Sequence, residues 1–290
     1  MLFDRRQLRR AFGRAARDYA AVAVLQNEVR TRLIEQLDYL PKPPQRVLDL
    51  GCGPGHGAAA LKARWPKAEV VALDLALPML VEAGRQRRWL RPFQRVCADA
   101  SALPLADNTF DLVFSNLCLQ WVEDLPATLA ELRRVLRPGG LLLFSTFAAG
   151  TLQELREAFA IADAGAAHVS PFADIQQIGD ALLAAGFRDP VLDRDSFTLT
   201  YPDLRSLMQE LRAIGAGNAL HDRRRGLTGK QRLQRAMQAY EAHRRDGVLP
   251  ASYEVVYAQA WGPEPGQPRR HGGGEIATFP VERLRIRRKS

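Results

Sequence analysis

The run Val47-Leu48-Asp49-Leu50-Gly51-Cys52-Gly53-Pro54-Gly55-His56-Gly57 is the most informative part of this chain. A short apolar run that contains one acidic residue leads into glycines at alternate positions and then into a helix-forming segment. Glycine permits both unusual backbone dihedrals and the close approach of another molecule. The order therefore predicts a buried strand, a tight ligand-binding loop and a helix. The carboxylate of Asp49 indicates that the ligand is not simply an anion.

The composition is that of a globular protein. The chain has 290 residues and 47% apolar residues, which is enough for a large core. No run of about 18 apolar residues occurs, so we expect no membrane span. The three cysteines lack the spacing of a zinc site or a disulfide framework, so we expect no metal and a reducing, cytoplasmic location. Asp4, Asp18 and Glu28 interrupt the arginine-rich start, which disfavours a transit peptide.

Strand and helix patterns alternate from residue 47 onward. Such alternation implies parallel strand pairing through right-handed crossovers. The expected fold class is α/β, with a Rossmann-like, seven-stranded, mostly parallel sheet and helices on both faces. We expect strands over 47–50, 69–73, 95–98, 110–115, 141–147, 191–201 and 253–261, with helices over 57–65, 78–89, 126–136 and 171–185. Residues 137–140, Arg-Pro-Gly-Gly, read as a sharp helix stop.

The flanks of this core are basic and helical in pattern. Five parts are expected: an N-terminal helical cap (1–45), the core (46–201), a basic helical insertion that covers the substrate (202–248), the last core strand (249–262) and a flexible basic tail (263–290). Residues 1–46 and 202–248 each carry ten Lys or Arg and five Asp or Glu, whereas the core has more acidic than basic residues. Within the tail, 263–278 reads as a mobile linker, and 276–286 adds at most a short ordered piece.

Acidic residues follow the expected strands at the edge where open α/β sheets bind ligands. Asp74, at the end of strand two, is placed to accept hydrogen bonds from both hydroxyls of a ribose. Asp99 and Ala100 follow strand three, where they can contact an adenine edge; for Asp99, a helix cap is the alternative. The glycine loop also satisfies the loose dinucleotide fingerprint. Asp49 would repel a pyrophosphate, however, and suits the ammonium of an amino-acid moiety.

With these motifs the chain resembles class I S-adenosylmethionine-dependent methyltransferases over about residues 45–150. The resemblance implies that the enzyme binds S-adenosyl-L-methionine and releases S-adenosyl-L-homocysteine. It implies a cofactor site made of Asp49, Gly51, Gly53, Gly55, Asp74, Leu75, Asp99, Ala100 and Asn116. Asn116 and Leu117 follow strand four, where the family shapes the methyl-transfer pocket.

The flanking sequences narrow the family. Residues 10–19 with 24–26, 115–121, 168–172 and 207–218 are similar to malonyl-acyl-carrier-protein O-methyltransferases of biotin synthesis. The resemblance implies methyl transfer to the free carboxylate of a malonyl thioester, which primes pimeloyl synthesis. We expect Arg212 to hold that carboxylate and Tyr19 to close the pocket, although a solvated Arg and a packing Tyr are equally compatible. A malonyl carboxylate is already ionised, so we assign no base role to His56 or His168.

The resemblance also implies an acidic partner. An acyl carrier protein would dock on the basic insertion, through Arg205, Arg223, Arg224, Arg225, Lys230, Arg232 and Arg235. We expect no nucleic-acid or membrane partner. Two alternatives share the same core: a methyltransferase of a small molecule or quinone precursor, and a methyltransferase-like assembly factor of a respiratory complex. The sequence leaves open the preference for carrier protein over coenzyme A, the oligomeric state and the role of the tail.

Overall fold

Strands and helices alternate through the core in the computed structural model, which describes residues 2–87, 89, 91–223, 226, 229–264, 269–271 and 274–276. The strands are β1 (Arg46–Leu50), β2 (Glu69–Asp74), β3 (Gln94–Cys97), β4 (Phe110–Asn116), β5 (Leu136–Phe147), β6 (Arg188–Tyr201), β7 (Leu249–Trp261), β8 (Arg269–His271) and β9 (Gly274–Ile276). The helices are α1 (Arg5–Ala15), α2 (Tyr19–Val22), α3 (Val24–Glu35), α4 (His56–Arg64), α5 (Leu77–Gln86), α6 (Leu125–Val135), α7 (Gln153–Ala162), α8 (Ile175–Ala184), α9 (Leu204–Ala213) and α10 (Lys230–Glu241). Short 3-10 turns cover Gln36–Tyr39 and Leu119–Trp121.

Seven strands form the main sheet, in the order β3-β2-β1-β4-β5-β7-β6. The first five pair in parallel; for example, Val47 of β1 lies opposite Val70 of β2 and Leu112 of β4. The strand β7 is inserted between β5 and β6 and runs antiparallel to both. This topology confirms the expected seven-stranded, mostly parallel, Rossmann-like sheet.

Helices cover both faces of the sheet because successive strand residues point to opposite sides. Val47 belongs to a core cluster with Val29 of α3 and Leu61 of α4. The next residue, Leu48, belongs to a second cluster with Leu129 of α6 and others from α8. Burial on both faces explains why the central strands are continuous apolar runs rather than alternating ones.

Several expected boundaries differ in the structure, and two of the differences have a clear local cause. The helix α6 ends at Val135, but residues 137–140 lie within β5 instead of forming a separate stop. Gly139 has a φ of 68° and donates its N–H to the carbonyl of Gly262, and the pairing with β4 shifts register between Phe110 and Leu112. The glycine thus accommodates an irregularity in the strand. The helix α8 begins at Ile175, because Asp174 and Gln177 form a capping box there.

The helix α7 was missed from the sequence. Its buried residues Leu155, Ala158, Phe159 and Ala162 have helical spacing, so the signal was present. It packs against α10 of the insertion. Tyr240 of α10 is fully buried and donates its hydroxyl to the carbonyl of Pro250 at 2.8 Å. The insertion α9–α10, which lies between β6 and β7 in the sequence, is therefore anchored on the core through α10.

The tail differs in part from the expected linker. Within 263–278, Arg269–His271 pairs antiparallel with Gly274–Ile276. The rest of the expected linker and tail beyond Glu264, including residues 277–290, lies outside the described residues. Where the chain is described, no helix has both the length and the apolar character needed to cross a membrane. Over the same ranges, no group of three or more His, Cys, Asp or Glu is arranged to hold a metal ion.

Candidate active site

The glycine loop between β1 and α4 is shaped by three left-handed backbone conformations. The φ angles of Gly51, Gly53 and Gly55 are 68°, 52° and 86°. A Cβ on Gly51 would lie 2.3 Å from Sγ of Cys118, and one on Gly55 would lie 2.7 Å from Cβ of Ala83. At Gly53 no atom lies within 4 Å of the Cβ position. Packing thus requires glycine at 51 and 55, whereas Gly53 leaves space on the side of a cavity that a ligand can approach.

Asp74 stands at the end of β2 and is held by backbone donors. Its Oδ2 accepts a hydrogen bond from the N–H of Gly53 at 2.9 Å, and its Oδ1 accepts one from Ala76 at 2.8 Å. Burial raises the pKa of Asp74 to about 6, although these hydrogen bonds act in the opposite direction. The carboxylate is therefore fixed against the glycine loop, on the surface of the same cavity.

Asp49 lies behind the loop rather than on the cavity surface. It is 2% exposed, and its Oδ2 has no hydrogen-bond partner. Burial raises the pKa of Asp49 to about 7, with a further contribution from Asp74; the N–H of Ala58 and the charge of Arg30 lower it. A Cβ on Gly57 would lie 2.8 Å from this Oδ2, so the carboxylate packs under the start of α4. A direct contact between Asp49 and the cofactor stays a prediction.

The other expected cofactor residues gather around the same cavity, which has a volume of about 120 Å³. Leu75, Asp99, Ala100 and Asn116 all line it, together with Gly51 and Gly53. Asp99 is followed by a turn, not by the helix that the alternative required: its Oδ1 accepts hydrogen bonds from the N–H and the hydroxyl of Ser101 at 2.9 and 2.8 Å. Four strand ends thus supply one cavity, as the sequence predicted.

The N-terminal segment covers this cavity through Phe3 and Arg5, two residues to which the sequence assigned no role within the expected N-terminal cap. Phe3 and Arg5 line the cavity, and Arg5 forms an ion pair with Asp99 at 3.0 Å. The N–H of Leu2 donates to Glu123 at 3.0 Å, and that of Asp4 donates to the carbonyl of Ala219 at 2.8 Å. Pockets that enclose a small-molecule ligand typically have at least about 300 Å³. The covered cavity is smaller than that range.

A second cavity, of about 240 Å³, adjoins the first. Its walls come from the N-terminal helices, the region of α7 and the loop that follows it, the insertion and β7. Its surface is mainly apolar, with Phe147, Leu152, Leu155, Phe159, Val169, Phe172, Met208, Leu211 and Ile214. Few polar side chains face it, among them Gln120, His168, Ser170, Arg212 and Asn218. We call it the acceptor cavity, and the first the cofactor cavity.

Four residues line both cavities and form the junction between them: Phe12, Tyr19, Leu117 and Trp121. The rings of Phe12 and Trp121 meet edge to face, with centroids 5.5 Å apart. Leu117 has a φ of 48°, and its N–H donates to Oγ of Ser145 at 3.0 Å. Such a conformation is unusual for leucine and persists only where the surroundings hold it. The sequence assigns no individual role to Phe12, because its place at the junction depends on the tertiary structure.

The two expected substrate residues both face the acceptor cavity. Burial raises the pKa of Tyr19, with a further contribution from the charge of Asp74, so the phenol keeps its proton at neutral pH. Arg212, near the end of α9, lines the cavity with an exposed side chain. No carboxylate of the described residues forms an ion pair with it. Its charge is therefore available to a ligand.

The fold and the cofactor cavity define the class of this protein: it is an S-adenosylmethionine-dependent methyltransferase. The family described as "Methyltransferase domain" matches residues 48–144. In solved structures, the chain is similar to the YcgJ protein of Bacillus subtilis, with 17% identity and a TM-score of 0.55 over 80% of this chain and 98% of that one. The phosphoethanolamine N-methyltransferase 2 of Haemonchus contortus has 21% identity and a TM-score of 0.51, over 81% and 53%. At these identities the likeness shows the fold alone.

Curated relatives give the family. A malonyl-acyl-carrier-protein O-methyltransferase of Xylella fastidiosa is 53% identical over 100% of this chain and 98% of the relative. One of Halorhodospira halophila is 50% identical over 99% and 97%. The chain belongs to the malonyl-acyl-carrier-protein O-methyltransferase family.

Proposed function

We propose that the enzyme transfers the methyl group of S-adenosylmethionine to the free carboxylate of a malonyl thioester on an acyl carrier protein. The products are the malonyl methyl ester and S-adenosyl-L-homocysteine. The observation that carries the proposal is the full-length similarity to relatives of that name, at up to 53% identity. The junction of two cavities gives it a physical basis, since donor and acceptor would meet there.

The residues of the cofactor cavity fit the cofactor. Gly53 leaves free space beside a fixed carboxylate, which suits a ribose whose hydroxyls donate to Asp74. Asp99 and Ala100 would contact the adenine, Gly51 and Gly55 shape the loop, and Leu75 and Asn116 complete the wall. The orphaned, buried Oδ2 of Asp49 would be stabilised by a nearby cation such as the cofactor's ammonium. When bound, the cofactor supplies an electrophilic methyl group on a positively charged sulfur.

The chemistry asked of the protein is positioning. A malonyl carboxylate is ionised at neutral pH, so its oxygen can attack without a general base. Arg212 would hold the second oxygen, since a guanidinium binds carboxylates in a bidentate manner. The protonated phenol of Tyr19 can donate a hydrogen bond at the junction. Orientation of this kind supplies several kcal/mol of barrier lowering.

Exclusion of water is the second contribution. Phe12, Leu117 and Trp121 surround the junction with apolar surface. A carboxylate oxygen loses hydration as it approaches the methyl group there, and removal of that water increases its nucleophilicity. The positive charge of Arg212 offsets the cost of placing a carboxylate in such surroundings.

The docking of the carrier protein on the insertion is also part of the proposal. Arg205, Lys230 and Arg235 are exposed and would face an acidic partner. Arg223 and Arg232 are already engaged, by Asp4 at 3.1 Å and by Asp163 at 3.5 Å. Arg224 and Arg225 lie outside the described residues. Loss of charge in the product would make the ester acceptable to fatty-acid elongation enzymes in the cytoplasm, as the family resemblance implies for biotin synthesis.

The test is a transfer assay. Purified enzyme is incubated with malonyl-acyl carrier protein and isotope-labelled S-adenosylmethionine, and the carrier is analysed by mass spectrometry. We expect a mass gain of one methylene unit on the malonyl group, removable by ester hydrolysis. Acetyl-acyl carrier protein, which lacks the free carboxylate, is the matched control. No gain on the malonyl carrier or on malonyl-coenzyme A would refute the acceptor assignment and return attention to a small-molecule acceptor.

A further inference from the structure

An open groove runs along the outer side of the acceptor cavity, between α7 and the loop of residues 163–172. It has a volume of about 700 Å³. The groove and the acceptor cavity share four lining residues: Phe159, His168, Val169 and Phe172. These four residues form the boundary at which the acceptor cavity and the groove adjoin. The spaces thus follow one another in the order cofactor cavity, junction, acceptor cavity, boundary, groove.

The boundary is organised around His168. Its Nε2 lies 3.1 Å from Oδ2 of Asp163, and its ring stacks on Phe159 with centroids 4.0 Å apart. The same Asp163 lies 3.5 Å from Nε of Arg232 on α10. Asn218 of the insertion donates to the carbonyl of Ala167 at 2.8 Å. The boundary is therefore tied at two points to the basic insertion.

The outer surface of this loop consists of small residues. Ala164, Gly165 and Ala167 are exposed and line the groove. Arg156 lines it from α7, and Arg232 lies next to it through Asp163. The groove thus has small, weakly polar walls with cations at its side. Such a surface matches a narrow, neutral chain that is attached to an acidic protein.

We propose that the thioester-bearing arm of the carrier protein lies in this groove and enters the acceptor cavity between His168 and Phe172. This inference rests on the proposed function, because it assumes an acceptor on a long arm. The reacting carboxylate has to lie at the junction, and the groove adjoins the acceptor cavity through residues that do not line the junction, so it offers the arm a way out. The arm does not leave beside Arg212. Gly215, just after α9, packs so closely on Phe12 that a Cβ on Gly215 would lie 2.8 Å from the ring of Phe12. That end of α9 is the junction end.

Gly165→Trp tests the route by filling the groove. No atom lies within 4 Å of the Cβ position of Gly165, and its φ is not positive, so the fold tolerates a side chain there. We expect the KM for malonyl-acyl carrier protein to rise about tenfold or more. The kcat/KM for malonyl-N-acetylcysteamine, which has no long arm, should stay within about twofold of wild type, the range of a neutral surface change.

Gly217→Trp is the matched control, since Gly217 lines the acceptor cavity near Arg212 and is equally unobstructed. It should lower the use of both acceptors together. The proposed route is overturned if Gly217→Trp impairs only the use of malonyl-acyl carrier protein. It is also overturned if Gly165→Trp impairs the use of both acceptors equally, or of neither. If wild-type enzyme methylates neither acceptor, it is the proposed function that fails.

A second measurement needs no turnover. In Gly165→Cys, the rate of maleimide alkylation at residue 165 is followed by peptide mapping. Carrier protein bearing the malonyl arm should slow alkylation several-fold, whereas carrier protein without the arm should not. Equal slowing by both forms would show that the body of the carrier covers the groove, and no slowing would show that the groove is empty. Either result contradicts the proposed path.

Discussion

The cofactor cavity and the acceptor cavity are built in different ways. The cofactor cavity takes most of its surface from residues that directly follow four neighbouring strands, between Leu50 and Cys118. The acceptor cavity takes its surface from segments spread between Phe12 and Tyr253. Backbone conformation and fixed carboxylates dominate the cofactor cavity. Apolar side chains dominate the acceptor cavity, where Arg212 is a cation without an ion-pair partner among the described residues.

The difference teaches where a substitution should act. The cofactor cavity shares its backbone with the centre of the sheet, so changes there disturb both folding and binding. The acceptor cavity lies between appended elements, so changes there should alter acceptor use and leave the sheet intact. The two regions can therefore be separated by measuring folding stability, cofactor affinity and acceptor KM on the same variants.

Gly55→Ala should have the largest effect. Its Cβ would lie 2.7 Å from Cβ and 2.9 Å from Cα of Ala83, at a φ of 86°. Overpacking and the left-handed backbone together should lower the free energy of unfolding by about 3 kcal/mol. Gly53→Ala is the control, because it meets no atom within 4 Å and costs only the backbone term of about 1 kcal/mol. Urea denaturation without ligand distinguishes them; equal losses would contradict the packing role of Gly55.

Asp74→Asn should weaken cofactor binding with little effect on the acceptor. The amide keeps one oxygen to accept hydrogen bonds where the carboxylate now serves Gly53 and Ala76. Loss of charged hydrogen bonds should raise the Kd for S-adenosylmethionine by about 10–100-fold. Isothermal titration calorimetry gives the Kd, and the KM for the malonyl acceptor at saturating cofactor should change by less than about twofold. A larger change in that KM would break the separation between the two cavities.

Arg212→Ala should show the opposite pattern. Removing the cation from the acceptor cavity should raise the KM for the malonyl substrate about tenfold or more. The Kd for S-adenosylmethionine should stay unchanged, because Arg212 is not on the surface of the cofactor cavity. Arg205→Ala, an exposed arginine on the same helix, is the matched control and should leave that KM nearly unchanged with a small-molecule malonyl thioester. An equal loss of cofactor and acceptor affinity would count against the carboxylate clamp.

The contrast between the cofactor cavity and the acceptor cavity also explains which parts of the structure could be predicted from the sequence. The sheet and most residues of the cofactor cavity were predictable, because these residues lie directly after strands whose apolar runs are visible in the sequence. Asp74 and Asp99 needed only the rule that parallel strand ends share one edge. Asp49 follows the same pattern, yet the structure places it behind the loop, since side chains within a strand alternate between faces.

The acceptor cavity was predictable only in fragments. The sequence identifies Tyr19 and Arg212 one by one, but it assigns no role to Phe12 at the junction or to Phe3 and Arg5 in the covering segment. Their positions depend on contacts between the N-terminus and residues 219–223, more than two hundred positions away. No local periodicity encodes such a contact. The helix α7 is a different case. The helical spacing of its buried residues is visible in the sequence, so this helix could have been predicted.

The pH dependence of cofactor binding should follow Asp74. Its folded pKa of about 6 lies above its ordinary value of 3.8, so the ligand-free protein holds a proton there below about pH 6. A ligand that needs the carboxylate must displace this proton, so affinity should fall by up to tenfold per pH unit below about 6 and level off above about 7. Asp49 adds to the upper part of this range. Calorimetry in two buffers of different ionisation enthalpy should show proton release near pH 6, and Asp74→Asn should reduce this release to the part that Asp49 contributes.

By the same linkage, the unfolding free energy of the ligand-free wild type should fall relative to that of Asp74→Asn as pH rises from about 4 to about 6. In this window the Asp74 carboxyl binds more protons in the folded state than in the unfolded state, so its contribution to the slope of unfolding free energy against pH is negative. Saturating cofactor should remove this slope. A difference between the two unfolding free energies that rises over the window would contradict the raised pKa of Asp74.

Arg5→Ala should have the smallest effect of these substitutions, because Arg5 belongs to the N-terminal segment that covers the cofactor cavity. The side chain of Arg5 is 51% exposed and joins the N-terminal segment to Asp99 across the cofactor cavity. Exposed ion pairs contribute less than about 1 kcal/mol, so we expect the cofactor dissociation rate to rise only two- to fivefold. Stopped-flow measurement of that rate, with Arg10→Ala as an exposed arginine control on the same helix, tests this expectation. Because the segment is also bound to residues 219–223, a simultaneous rise in acceptor KM would show that the two cavities, although built differently, are coupled through their shared cover.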